Sequence, residues 1–148
     1  MNWKNKVGSG DRQPDFDETA ARLKNLGWHD SKLDDIVLSE GTDGLPSVKL
    51  EMRFIRDWDK YQPAVITFTD CAVVMLDLDL KAKQAVGGDI DDANCSVSVN
   101  SDLKGRIKAD WGGGEIPVEE YIEFTIVMAP PAGSIKVLAR DFDVRWAT

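Results

Sequence analysis

"AVITFTDCAVVMLDLDL", residues 64–80, is a long apolar stretch that reads either as one straight strand or as two. A strand sends alternate side chains to opposite faces, so its apolar residues keep one parity only while the ladder is unbroken. Ile66 and Phe68 share a parity. Val74, Leu76, Leu78 and Leu80 continue it only if "TDC" adds no extra residue. Aspartate favours turns and disrupts ladders, so a bulge or turn near Asp70 is expected to divide the stretch. The fold is then one of short strands.

The flanking segments agree. "SVKLEMRFI" places Val48, Leu50, Met52 and Phe54 on one face and Lys49, Glu51 and Arg53 on the other. "VEEYIEFTIVM" does the same with Ile122, Phe124, Ile126 and Met128. "DDIVLSE" reads as a short first strand, "NCSVSVN" alternates, and "SIKVLARDFDVRW" reads as a last strand pair or one bent strand. "RDWDKYQP", "KAKQAVGGDIDDA" and "SDLKGRIKADWGGGEIP" read as polar or irregular connections. One helix is expected early, from about Phe16 to Leu26. Asp15 or Asp17 would cap it, Phe16, Ala20, Leu23 and Leu26 would form its buried face, and Gly27 would stop it. Residues 1–14 are polar and without period, and read as a loose arm before a single domain over 15–148. The expected fold class is mainly β (α+β), a curled or closed antiparallel sheet of about six to eight strands with one N-terminal helix.

A chain of 148 residues with 43% hydrophobic content can build a core without metal or disulfide staples. Its net charge of −8 and pI near 4.6 repel nucleic acid and anionic membranes and favour a basic protein partner. Two cysteines, Cys71 and Cys95, are too few for a secreted disulfide framework, and no C-x-x-C pair is present. The N-terminus lacks a signal-peptide core and no run reaches the length of a membrane span, so the expected location is cytoplasmic.

Catalytic readings fail on spacing. His29, the single histidine, sits in "WHDS" beside Asp30 and Ser31. A hydrolytic triad must meet in space, and neighbours on an extended segment point apart. One imidazole is too few for a typical zinc site. Asp89, Asp91, Asp92 and Asn94 resemble a calcium loop, but the sixth position from Asp89 is Asn94 rather than glycine. "DWGGGEIP" lacks the Gly-Lys-Ser/Thr ending of a phosphate loop and continues into Glu115. No cofactor or metal is expected, and His29 is expected to bond a backbone group at the helix-to-strand corner while Trp28 packs over the core. Two other loops carry aromatics among charges, the usual make-up of a binding anchor. They are Asp57, Trp58, Asp59 and Tyr61, and Asp110, Trp111 and Glu115.

The segment Trp28, His29, Asp30, Ser31, Lys32, Leu33, leading into a strand, resembles the opening of the "WHDSKL" group of small bacterial immunity-type proteins from polymorphic toxin systems. The resemblance implies a non-enzymatic cytoplasmic binder that neutralises a protein toxin. The alternative class is a small-ligand binder with a pocket inside a curled sheet, and an enzyme is third.

Overall fold

In a computed structural model of the chain, residues 15–41, 44–58, 60–80, 88–97, 121–130 and 133–147 are described. The arm expected over 1–14 lies outside them. One helix, α1 (Phe16–Lys24), precedes eight described strands. These are β1 (Lys32–Glu40), β2 (Pro46–Asp57), β3 (Lys60–Thr69), β4 (Val73–Leu78), β5 (Ile90–Val97), β6 (Ile122–Met128), β7 (Gly133–Ala139) and β8 (Asp141–Trp146).

The apolar stretch at 64–80 divides where its aspartate stands. β3 ends at Thr69, Asp70 takes a left-handed φ of 50°, and β4 begins at Val73. The two halves belong to different sheets. One sheet runs β1-β2-β3-β8 and the other β4-β7-β6-β5, all pairs antiparallel. "SIKVLARDFDVRW" breaks in the same way at Arg140, sending β7 to one sheet and β8 to the other. The two crossings lie side by side. The Arg140 amide donates to Thr69 O at 3.1 Å, the Ala72 amide donates to Leu138 O at 2.8 Å, and Arg140 Nε lies 2.6 Å from Asp70 Oδ2.

The arrangement is therefore two packed four-stranded sheets, not one curled or closed sheet. Both long segments change sheet at one corner, and among the described residues no continuous ladder joins the edges of the two sheets. A second link between the sheets is an isolated bridge, Lys32↔Asp89. It is flanked by the Ile90 amide donating to Ser31 O at 2.7 Å. The inner faces carry the expected residues. Val48, Leu50, Met52, Phe54, Ile66 and Phe68 meet Ile122, Phe124, Ile126 and Met128 in one buried cluster. Phe68 lies 5.0 Å from Phe124, and Phe124 lies 5.7 Å from Phe142, so aromatic rings span the gap between the sheets.

The helix follows its sequence signals. Asp15 accepts the Glu18 amide at 3.1 Å, Leu23 is buried, and Phe16 and Leu26 pack partly against the core. It ends at Lys24, two residues before the expected end, because Asn25 caps it and Gly27 turns left-handed at φ 78°. "RDWDKYQP" is not a loop. Ile55 pairs with Tyr61 and Asp57 with Lys60, so β2 and β3 form a hairpin with a two-residue turn. Its polar residues stand on the exposed ends of the two strands. Among the described residues no helix is long and apolar enough to cross a membrane.

Candidate functional site

The corner from Gly27 to Ser31 is built first by backbone geometry. Gly27 and Asp30 both have positive φ, 78° and 66°, which turns the chain out of α1 and into β1. Trp28 is buried there. Its Nε1 donates to Leu23 O at 2.7 Å, and its ring meets Phe54 edge-on with centroids 5.2 Å apart. Ser31 is fully buried. Its Oγ donates to Gly27 O at 2.8 Å and accepts the Ile55 amide at 3.1 Å. The hydroxyl proton is thus held by a carbonyl and joins the helix exit to β2. The Asp30 amide donates to Ile90 O at 2.9 Å, which adds β5 to the same knot. Three of the four "WHDS" residues fasten one helix to two sheets.

His29 points outward. Its side chain is 72% exposed, and Nδ1 donates to Asp91 O at 3.0 Å. The expected backbone bond is present, but it lies in solvent rather than inside the corner. The Asp91 carbonyl, then the Asp30 carboxylate, raise the imidazole pKa above its usual 6.5. Asp30 Oδ1 is 3.7 Å from Nε2 and Asp91 Oδ1 is 3.6 Å from Nδ1. The thiols are chemically quiet. Burial pushes Cys71 up to about 12 and also raises Cys95. Asp89 is engaged by Lys32, and among the described residues no group of three His, Cys, Asp or Glu side chains is arranged to hold a metal.

The hairpin turn between β2 and β3 differs in kind from this corner. Trp58 is the first of two residues between the paired Asp57 and Lys60. It is 91% exposed and has φ 52°. Left-handed positions in such turns suit asparagine or glycine, and a bulky side chain there is an outlier. The largest apolar side chain in the repertoire therefore stands in water on a backbone that disfavours it. The hairpin below it is braced. The Arg56 guanidinium lies 4.5 Å from the Trp146 ring centre, its Nε donates to Gln62 Oε1 at 3.1 Å, and Nη1 donates to Leu26 O at 3.3 Å. Asp57 is exposed beside the indole.

No known protein family, curated protein or solved structure matches this chain.

Of the anchor residues expected from sequence, the structure brings Asp57 and Trp58 together at the turn. Tyr61 is displaced from that group. It lies on β3, half-buried, with Lys32 and Arg53 each 5.7 Å from its ring centre. Asp34 clamps Arg53 in turn, at 2.6 Å to Nη2 and 2.8 Å to Nε. Asp59, Asp110, Trp111 and Glu115 lie outside the described residues. The brace through Arg56, Gln62 and Trp146 was not legible, because it joins segments whose proximity depends on the β3–β8 pairing. Two clefts, about 210 Å³ over Glu51, Val65 and Arg145 and about 200 Å³ over Lys49, Thr67 and Asp143, open on the outer face of the first sheet. Both fall below the roughly 300 Å³ at which small-ligand pockets begin.

Proposed function

We propose that this chain is a non-enzymatic, cytoplasmic binding protein of the immunity type, which neutralises a bacterial toxin by direct contact, and that the Trp58 hairpin is its anchor. The observation that carries the reading is the indole of Trp58, 91% exposed at φ 52°. Residues held in sparsely populated backbone regions cluster at binding sites. An indole buries roughly 150–250 Å² in an interface, worth about 4–6 kcal/mol before ordering costs at about 25 cal/mol per Å². Asp57 beside it and the net charge of −8 suit a partner surface with lysine and arginine around an apolar pocket.

The test uses the reading frame adjoining the gene. Its product is expressed in a bacterium with and without this chain, and growth is measured. The chain is expected to restore growth. Trp58→Ala is expected to weaken the complex by about 2 kcal/mol or more, mainly through faster dissociation, with an unchanged melting temperature. A harmless neighbouring product, or full protection by Trp58→Ala, overturns the proposal.

A further inference from the structure

Four described strands lie at sheet edges: β1, β8, β4 and β5. An edge strand is a template for pairing, and proteins guard it with charges, bulges or cover. Three of these four are guarded. β1 carries Lys32, Asp34, Asp35 and Glu40 and a register break between Leu33 and Asp35. β5 carries Asp91 and Asp92 and a break between Ile90 and Asp92, and Asp89 just before it bridges to Lys32. β8 alternates Asp141, Asp143 and Arg145 along its length.

Among the described residues, β4 has none of these features beyond one charge. Its sequence is VVMLDL, and it pairs with β7 in unbroken register from Val73↔Leu138 to Leu78↔Gly133. Met75 and Leu76 on this strand are exposed, Leu76 by 47%. Val74 and Leu78, of the same parity as Leu76, pack against the core. A strand laid along this edge would therefore extend the inner apolar face through Leu76. On the other face it would meet the exposed Asp77 carboxylate.

We propose that the edge of β4 is a strand-addition site for an extended segment of a partner protein, in which apolar residues alternate with lysine or arginine. Period-two alternation matches β4's two faces, and the basic residues answer Asp77 and the net charge of −8. A second copy of this chain fits less well. Symmetric pairing about Leu76 sets the two Asp77 carboxylates on one diagonal, roughly 7–8 Å apart, between two acidic molecules. This site stands apart from the Trp58 hairpin and does not depend on the toxin reading.

The probes are three labelled peptides of about eight residues. One alternates valine with lysine, one valine with glutamate, and one proline with lysine, which keeps the charge but removes half the amide donors. Binding to the full chain is followed by fluorescence anisotropy. The valine–lysine peptide is expected to bind at least roughly tenfold more tightly than either of the others, because ladder bonds and charge are both required. Leu76→Lys is expected to weaken it by about tenfold, as edge lysines block pairing. Leu38→Lys makes the same charge change at an exposed site on β1 and, like Trp58→Ala, leaves binding unchanged. Amide exchange in β4 should slow when the peptide is added. Equal binding of both lysine peptides, or equal losses in Leu76→Lys and Leu38→Lys, would mean general charge attraction and overturn the proposal. So would no binding of the valine–lysine peptide at about 1 mM. A dimer of the free protein that Leu76→Lys dissolves would reassign the edge to a second copy.

Discussion

Replacing Ser31 with alanine would leave the Ile55 amide without its acceptor while keeping the backbone bonds around it. A buried donor left unpaired costs about 1–3 kcal/mol, so Ser31→Ala should lower unfolding stability by that amount in a urea titration. His29 answers differently because it stands in solvent. Its pKa is raised in the native state, so protonation favours the fold. That small contribution is complete below about pH 6.5, the unfolded value, and is lost as pH rises through the higher native value. With one histidine in the chain, its C2 proton gives an unambiguous NMR titration. The midpoint should lie above 6.5 and move down in Asp30→Asn. A midpoint at or below 6.5 would contradict the geometry. "WHDS" was legible as a fastening but not as to which residue fastens. Burial separates Ser31 from His29, and neighbouring letters do not carry it.

At the scale of elements, the β2–β3 hairpin trades stability for an exposed ring. Trp58→Asn places a residue suited to φ 52° in the turn and should raise stability by about 0.5–1 kcal/mol. The same substitution should weaken partner binding by about 2 kcal/mol or more, as Trp58→Ala does. A variant that is less stable would show that the indole supports the hairpin. At the β4–β7 pair, Gly133 has φ 106°, and a Cβ there would lie 1.9 Å from Asp77 O. Gly133→Ala should therefore cost at least about 2 kcal/mol, read as a lower denaturation midpoint, by combining strain and overlap. Strand content was legible wherever one face is buried. The alternation of β2 and β6 and the break at Asp70 all stand in the structure. "RDWDKYQP" misled because the exposed ends of a hairpin and a loop share a polar composition. β5 starts earlier than its alternation suggested, since Asp91 and Asp92 hide a bulge in what reads as a turn.

For the molecule as a whole, partition into two sheets could not be read from local pattern. It depends on β3 meeting β8 and β4 meeting β7, pairings between segments far apart in sequence. Period two says which face of a strand is buried and nothing about its neighbour. The corner at Asp70 and Arg140 has a kinetic consequence. The strands it joins are about as far apart as Thr69 and Asp141, whose side chain and backbone meet across 72 positions. At about 5–20 residues per second, the ribosome finishes β3 and β4 seconds before β8 and β7 exist. During that interval the nascent chain shows an unpaired β4 and the open edge of β3, which has only β2 beside it. Slow, late closure of this kind exposes the chain to holding chaperones and to aggregation.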